Sequence, residues 1–363
     1  MNPGPTRRPH APHDPDASTL TAKGHPPMST SEPTTAHDHT PAQARVSVWA
    51  TAQTAPAAQR GTRYHRDSSA HPAKMLPHIA AAAITRYSKP GDLVMDPMCG
   101  IGTTLIEALH LDRQAVGVEY EPRWADIART NLKIALEHGI NTEANVYTGD
   151  ARKLATCLPA ALRGTVDLLI TSPPYGDSTH GHVRVRAGEG VHKTNNRYGN
   201  TLDRGNLANL GVPRLLTGFT RILTAAADYL KPGAHVIITA RPWRQHAELI
   251  DLPSLLTECA QTAGLVPIDR AAALLGRLTN GSIVAHSSFF QRDFVLKNRD
   301  AGLPLALIAH EDVLVFRKPR TCRRQVKTGS GTNFVTRPTG LFTRSTGFAC
   351  GAGRFSRGRT SVA

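Results

Sequence analysis

Short apolar runs alternate with longer amphipathic stretches through the middle of the chain, from about residue 63 to residue 319. Short runs of mainly apolar residues are typical of buried strands, and longer stretches with apolar residues at helical spacing predict helices. The predicted strands are Asp92–Asp96, Ala115–Glu119, Ala144–Tyr147, Val166–Thr171, Ala234–Thr239 and Glu311–Phe316. The predicted helices are Leu76–Tyr87, Thr103–Leu111, Arg123–Glu137, Leu215–Leu230 and Leu252–Gly264. This alternation predicts an α/β fold in which a doubly wound parallel sheet carries helices on both faces.

The two ends of the chain differ in composition from this middle region. Residues 1–62 hold 10 of the 26 prolines, among Ala, Thr, Ser and His, and this composition predicts a disordered leader. Residues 320–363 hold nine Lys and Arg but no Asp or Glu, which predicts a basic disordered tail. The tail carries much of the net charge of +15, and it suits either a polyanion or simple solubility. The expected organisation is a leader at 1–62, one folded domain at 63–319 and a tail at 320–363.

Composition also argues against several classes of protein. The sequence has no run of 18 or more apolar residues, so a membrane-spanning helix is not expected. The N-terminal residues lack the apolar segment of a secretory signal. The five cysteines are widely spaced and form no Cys-x-x-Cys pair, which favours a reducing cytoplasm over a disulfide-stabilised or zinc-binding protein. We expect no metal site.

A glycine-rich turn and two carboxylates follow three successive predicted strands. The turn is Pro97–Gly102, where Gly100 and Gly102 let a ligand approach the backbone closely. Glu119 ends the second strand, where a carboxylate can accept both hydroxyls of a ribose. Asp150 follows the third strand, where it can accept a hydrogen bond from an adenine amine. Ligands bind at this edge of a doubly wound sheet, so the three features together predict an adenosyl ligand.

The turn does not fit the common nucleotide-binding patterns. Thr103 and Thr104 stand where a dinucleotide-binding turn has its third glycine. No Lys-Ser or Lys-Thr pair follows at the spacing that a phosphate-binding loop requires. An adenosyl ligand without a pyrophosphate is therefore favoured.

The fourth predicted strand ends in an unusual rigid turn formed by Ser172, Pro173, Pro174 and Tyr175. Two prolines fix two φ angles and remove two backbone donors, so nearby carbonyls remain available as acceptors. The Ser172 hydroxyl and the Pro173 carbonyl can then accept both N–H bonds of an exocyclic amine, and Tyr175 offers a flat face for a heteroaromatic ring. Two acceptors draw the nitrogen towards tetrahedral geometry, which frees its lone pair to attack a sulfonium methyl group. Catalysis of this kind depends on positioning and charge stabilisation.

Taken together, Asp96–Thr104 and Thr171–Tyr175 resemble the S-adenosylmethionine-dependent amino-methyltransferases, most of all the DNA N4-cytosine/N6-adenine methylases. The segments His71–Lys74, Leu230–Gly233 and His310–Lys318 also look like that family. The resemblance implies a class I methyltransferase fold, Rossmann-like, with seven strands, and S-adenosylmethionine as cofactor. It implies cofactor contacts at Asp96, Pro97, Cys99, Gly100, Gly102, Glu119 and Asp150. It implies an amine site at Ser172, Pro173, Pro174 and Tyr175.

The resemblance leaves the polymer and the base open. In this family, serine at the position of Ser172 is commoner with cytosine N4, whereas aspartate is commoner with adenine N6. The tRNA guanine-N2 methylases also carry Asp-Pro-Met-Cys-Gly, so Met98 and Cys99 favour RNA, whereas Ser172 and the absence of an obvious N-terminal RNA-binding domain favour DNA. No segment is long enough for the large target-recognition domain of many DNA methylases. The expected function is a site-specific DNA methyltransferase, as in restriction-modification, with tRNA guanine-N2 methylation as the alternative. A non-catalytic nucleic-acid-binding protein is disfavoured by the intact Ser172–Tyr175 turn.

Two polar stretches are candidates for contact with the nucleic acid. Residues 176–213 form a long insertion after the turn, with many Arg, His and Lys and few acids, and loops of this length are usually functional or disordered. The stretch Phe289–Phe294 mixes aromatic rings with cations, which suits stacking on bases and pairing with phosphates. Both stretches also suit a solvated surface. The candidate contact residues are Arg184, Arg186, Lys193, Arg197, Arg292 and Lys297.

Overall fold

The computed structural model describes residues 46–175, 182–186, 190–194, 198–199, 203, 205–245, 248–287 and 289–320. The first 45 residues of the predicted leader, and the predicted tail from residue 321, lie outside the described residues. Contacts between residues divide the chain after Val48, and the fold described below is that of the second unit.

One large sheet forms the centre of the molecule. Its strands are β1 (Val48–Trp49), β2 (Leu93–Asp96), β3 (Gln114–Glu119), β4 (Ala144–Thr148), β5 (Val166–Thr171), β8 (Leu230–Ala240), β11 (Val266–Leu274) and β14 (His310–Arg317), in the spatial order β1-β11-β14-β8-β5-β2-β3-β4. Three antiparallel pairs stand apart from it: β6 (His182–Arg186) with β7 (Gly190–Thr194), β9 (Trp243–Gln245) with β10 (Glu248–Ile250), and β12 (Gly276–Thr279) with β13 (Ser282–Ala285).

The helices are α1 (Pro56–Arg60), α2 (Pro77–Tyr87), α3 (Thr103–Leu109), α4 (Pro122–Glu137), α5 (Leu154–Cys157), α6 (Val212–Ala227), α7 (Leu252–Thr262) and α8 (Phe289–Asp300). Proline occupies the first turn of several of them, where its missing N–H has no helical partner to lose. None of the helices among the described residues combines the length and the apolar character that crossing a bilayer requires.

Two hydrophobic cores cover the two faces of the sheet. Successive residues of a strand point to opposite faces, so Val94 belongs to one core and its neighbour Met95 to the other. The first core packs against α2, α3 and α4, and the second packs against α6 and α7. Because both faces are covered, the central strands have almost uninterrupted apolar sequences, which is the pattern that predicted them.

The expected α/β fold with helices on both faces is confirmed, but the sheet is mixed rather than wholly parallel. Strands β4, β3, β2, β5 and β8 are parallel neighbours, whereas β14 pairs antiparallel with both β8 and β11. The direction of β14 depends on the connection before it, which the apolar pattern of the strand does not encode. This direction matters for the site, because β14 begins at the edge where the parallel strands end.

Several boundaries differ from the sequence-based expectation. Helix α6 ends at Ala227, and β8 begins at Leu230 and runs through Lys231, Pro232 and Gly233, where the sequence predicts only a turn. A shift in register between β5 and β8 accommodates this irregular start. At the N-terminal side, Trp49, Ala52 and Gln59 are buried, although they precede residue 63, where the domain is expected to begin.

Candidate active site

The ends of four parallel strands, β2 to β5, meet at one edge of the sheet. The turn after β2 has Gly100 at φ 54° and Gly102 at φ 82°, a region that L side chains rarely adopt. This turn brings the Gly100 backbone N–H within 2.8 Å of the Glu119 Oε2 atom at the end of β3. A direct hydrogen bond therefore joins the glycine turn to the end of the second predicted strand.

Asp96 ties three elements together at this edge. Its Oδ1 accepts from the Met98 backbone N–H at 3.0 Å and from the Thr171 hydroxyl at 3.0 Å, and its Oδ2 accepts from the Thr104 hydroxyl at 2.7 Å. Burial raises the pKa of Asp96 to about 6, and the hydrogen bonds from Thr104, Met98 and Thr171 oppose that rise. The carboxylate thus fixes the end of β2 against α3 and β5, beside the cavity described below.

Glu119 is buried and accepts one backbone hydrogen bond on each oxygen. Besides Gly100, the Glu121 N–H donates to Oε1 at 2.9 Å, and the Tyr198 hydroxyl lies 3.5 and 3.4 Å from Oε1 and Oε2. Burial raises the pKa of Glu119 to about 7, against the effect of the two backbone donors, and the charge of Asp96 adds to the rise. The two backbone hydrogen bonds fix the Glu119 carboxylate so that it can accept further hydrogen bonds, such as those of ribose hydroxyls. In this structure the Tyr198 hydroxyl lies where such donors would bind.

Asp150 follows β4, as expected, but a neighbouring arginine engages it. The Arg152 guanidinium binds both carboxylate oxygens, with Nε at 2.8 Å from Oδ1 and Nη2 at 2.8 Å from Oδ2. The pKa of Asp150 is lowered: partial burial acts to raise it, and the hydrogen bonds and charge of Arg152 outweigh that effect. Any adenine amine that binds here shares Asp150 with Arg152.

A cavity of about 420 Å³ opens at this edge of the sheet. Cys99 and Gly100 of the glycine turn line it together with the whole turn Ser172–Tyr175. The two turns that the sequence singles out thus face one cavity, and its volume falls within the usual range for small-molecule sites. Three cations, Arg60, Lys74 and Arg241, line it as well.

A second, much smaller cavity of about 40 Å³ lies beside Pro97, Glu119 and Asp150. It shares Met98, Pro174 and Tyr198 with the larger one. Its volume is well below the roughly 300 Å³ of a typical ligand site. An adenosyl group in the larger cavity would reach Glu119 past Met98, Pro174 and Tyr198, the residues that line both cavities.

Tyr175 is held from two sides. The Arg241 guanidinium lies 5.6 Å from the centre of its ring, and the ring centre of Trp243 lies 5.9 Å away. The Arg241 backbone also hydrogen-bonds to the Tyr175 hydroxyl. Burial, aided by the charge of Glu311, raises the pKa of Tyr175, so the phenol stays neutral at physiological pH. These contacts fix the orientation of the ring at the cavity wall.

Other predicted site residues lie elsewhere. Gly102 lines neither cavity, and a Cβ there would meet Ala128 of α4 at 3.3 Å, so this glycine serves the turn and its packing. The insertion after Tyr175 is not wholly a loop, because it contains the antiparallel pair β6 and β7. Arg184 and Arg186 lie on β6, opposite His192 and Gly190, and Lys193 lies on β7. Arg197 lies outside the described residues.

Arg292 and Lys297 lie on α8 and already have local partners. Arg292 donates to the Ser287 hydroxyl at 2.8 Å, and Lys297 pairs with Asp293 at 2.8 Å. Both cations are mostly exposed, so a phosphate can compete with these contacts at modest cost.

Three residues of the site were missed in the sequence. Tyr198 belongs to the insertion and covers Glu119 through contacts distant in the chain: its ring packs against His71 at 4.9 Å, and its carbonyl accepts from the Trp124 indole at 2.7 Å. Arg241 follows β8 and Glu311 lies at the start of β14, two strands for which the sequence predicts no residue of the site. Both are charged residues beside an apolar strand, at the edge of the sheet where ligands bind, and this feature could have marked them as candidate site residues.

The fold and the site define a class. The sheet has five parallel strands, then the antiparallel strand β14, and then β11. These seven strands form the sheet of the class I methyltransferases, and β1 adds an eighth strand of two residues at the edge. The expected fold class is thus confirmed. S-adenosylmethionine is the cofactor of this class.

The comparison with known families agrees. The family model described as DNA methylase matches residues 25–130, which confirms the resemblance over that segment. The matched segment includes the glycine turn and Glu119 but ends before Ser172.

Two similar curated proteins are named as tRNA methyltransferases. The tRNA (guanine(10)-N2)-dimethyltransferase of Methanothermobacter thermautotrophicus is 35% identical over 117 residues, which are 32% of this chain and 32% of that protein. Its namesake from Methanocaldococcus jannaschii is 34% identical over 119 residues, 32% of this chain and 33% of that protein. The chain therefore matches about a third of the length of these relatives.

Among solved structures, TrmN from Thermus thermophilus is similar with a TM-score of 0.40 and 18% identity, over 72% of this chain and 53% of that one. A methyltransferase from Pyrococcus furiosus is similar with a TM-score of 0.37 and 13% identity, over 68% of this chain and 84% of that one.

Proposed function

We propose that this protein transfers a methyl group from S-adenosylmethionine to the exocyclic amine of a base in a nucleic acid. The observation that supports it most directly is the shared cavity, which Cys99 and Gly100 line on one side and Ser172–Tyr175 on the other. A methyl donor and an acceptor nitrogen held by these two turns would meet in one cavity, which is the arrangement that direct transfer requires.

The residues on the donor side fit the cofactor. Glu119 offers two preoriented oxygens to ribose hydroxyls, and the glycine turn leaves backbone room beside it. Lys74 and Arg60 suit the carboxylate of an amino acid, because both are partly buried cations that line the cavity. Burial and the charge of Arg60 lower the pKa of Lys74 to about 8, which indicates a site where an added negative charge would be stabilised. When bound, the cofactor supplies an electrophilic sulfonium methyl group.

On the acceptor side, the protein's task is to hold an amine and activate its lone pair. The Ser172 hydroxyl and the Pro173 carbonyl accept the two N–H bonds of that amine, and Tyr175 packs against the base. In such a transfer the N–C bond would form as the S–C bond of the sulfonium breaks, which would leave a neutral thioether and a positively charged nitrogen. The two acceptors would stabilise that charge until the nitrogen loses a proton to solvent. Asp96 fixes this turn to the donor side through Thr171.

DNA is the polymer that we propose, with cytosine N4 or adenine N6 as the target. The match to the DNA methylase family and the serine at position 172 support this choice. RNA guanine N2 is the second candidate, and the two curated relatives favour it. Contacts of the insertion and of α8 with phosphates are part of the proposal. A site-specific role, a restriction partner and a cytoplasmic location are expectations of the same kind.

Labelled S-adenosylmethionine distinguishes the candidates. Purified protein is incubated with DNA and, separately, with tRNA, and the product is digested to nucleosides. N4-methylcytosine or N6-methyladenine supports the DNA proposal, N2-methylguanosine in tRNA supports the alternative, and transfer to neither polymer contradicts both.

Ser172→Ala tests the acceptor role. We expect turnover to fall, because one acceptor of the amine is lost, whereas the cofactor dissociation constant stays within about twofold. Ser282→Ala, on an exposed strand, is the matched control and should leave both unchanged. Full turnover in Ser172→Ala would show that the hydroxyl has no such role.

A further inference from the structure

Glu311 stands at the same edge of the sheet as the acceptor turn. Because β14 runs antiparallel to β8, its second residue lies where β8 ends: Asp312 pairs with Ala240, so the next residues, Glu311 and Arg241, are side by side. Both line the 420 Å³ cavity together with Ser172 and Tyr175. A carboxyl group therefore faces the space that the acceptor base would occupy.

The Glu311 carboxyl group has no hydrogen-bond partner among the residues that the structure describes. Its neighbour Asp312 contrasts with it: strand alternation turns Asp312 to the other face, where the Arg270 guanidinium binds it at 2.8 Å. Burial raises the pKa of Glu311, the charge of Asp312 adds to the rise, and the charge of Arg241 opposes it. Glu311 is half-buried and lines the cavity, so its carboxyl group is open to a polar atom of a ligand there.

We propose that Glu311 is a specificity-determining residue that donates a hydrogen bond from its carboxyl group to the ring nitrogen beside the exocyclic amine of the target base. This inference rests on the proposed function, and it commits to the DNA bases. Cytosine N3 and adenine N1 both stand next to the reacting amine, and both accept hydrogen bonds. A neutral carboxyl group can donate to either of them, whereas the pairing edge of guanine presents the N1–H donor beside the N2 amine.

In this proposal, different residues of the cavity wall contact different parts of the base. Ser172 and Pro173 accept from the amine, Tyr175 faces the ring, and Glu311 reaches the adjacent nitrogen on the pairing edge. Arg241 contributes by holding Tyr175 through its backbone and its guanidinium group. Recognition of two neighbouring positions would let the site reject a guanine that enters with its N2 amine in place.

Oligonucleotides that lack the ring nitrogen test this directly. The full-length protein is assayed on its DNA target containing the natural base, and on the same target containing 3-deazacytosine or 1-deazaadenine. We expect the wild type to lose roughly fivefold to tenfold in kcat/KM on the deaza substrate, the loss of one hydrogen bond. Glu311→Ala should show a similar loss on the natural substrate and less than twofold further loss on the deaza substrate.

Two further variants separate hydrogen bonding from other causes. Glu311→Gln keeps an N–H donor, so it should retain activity within a few-fold, and the exposed Glu143→Ala should behave as wild type. The cofactor dissociation constant, measured for each variant, should be unchanged and also reports on folding. Equal activity of Glu311→Ala and wild type on natural DNA would overturn the assignment, as would equal deaza discrimination in both. Loss of activity in Glu311→Gln as complete as in Glu311→Ala would exclude the donor role. If the wild type methylates no DNA at all, the proposed function fails instead.

Discussion

Glu119 should make cofactor binding depend on pH in a defined way. Its pKa is raised to about 7 in the free protein, but it must be ionised to accept hydrogen bonds from two ribose hydroxyls. Binding therefore favours the ionised form of Glu119, so affinity for the cofactor should increase as pH rises through 7. Below pH 7, Glu119 should release a proton when the cofactor binds. At pH 6 about one site in eleven is ionised, and at pH 8 about ten in eleven, so the dissociation constant should be about tenfold larger at pH 6.

Isothermal titration of S-adenosylmethionine at pH 6, 7 and 8 measures this effect. Glu119→Gln should bind more weakly at every pH, because its amide N–H₂ must face the backbone N–H of either Gly100 or Glu121. It should also lose most of the pH dependence, and the exposed Glu137→Gln should retain it. Asp96, with a pKa of about 6, is half protonated at pH 6 and contributes at most about twofold. The same affinity at pH 6 and 8 in the wild type, or an unchanged tenfold dependence in Glu119→Gln, would refute the role of Glu119.

Two other predictions concern packing and the nucleic-acid surface. Gly117→Ala places a Cβ 2.8 Å from both Cys99 Sγ and Leu105 Cδ1, so we expect a loss of about 1–3 kcal/mol in the free energy of unfolding, measured by urea denaturation. The double substitution Arg292→Gln with Lys297→Gln should weaken DNA binding and reduce the slope of log K against log salt by about 1 to 2, measured by fluorescence anisotropy, if both cations contact phosphates. An unchanged salt slope would place the phosphate contacts elsewhere.

The alternation of apolar runs predicted the centre of the sheet well, because β2, β3, β5 and β8 are buried on both faces and local sequence is enough to mark them. Strand β11 was missed because Pro267, Asp269 and Arg270 interrupt its apolar pattern, and its first five residues are exposed. The reversal of β14 escaped prediction for a different reason, since strand direction is a property of the connection rather than of the strand.

The same distinction separates the parts of the site. Asp96, Glu119 and Ser172 could be predicted because each ends a recognisable strand, and strand ends meet at one edge. The contact between Tyr198 and Glu119 joins residues 79 positions apart in the chain, and no local pattern encodes it.

Because β14 is reversed, its first residues lie at the site, and they add a C-terminal segment to the residues that would contact the acceptor. Residues that would hold the donor come from the part of the chain up to Asp150, whereas those that would choose the acceptor come after it, at Ser172–Tyr175, Arg241 and Glu311. Exchange of the C-terminal strands between related enzymes should therefore transfer base preference and leave donor affinity intact. The family match covers residues 25–130 and therefore lies entirely in the N-terminal part of the chain, which such an exchange would retain.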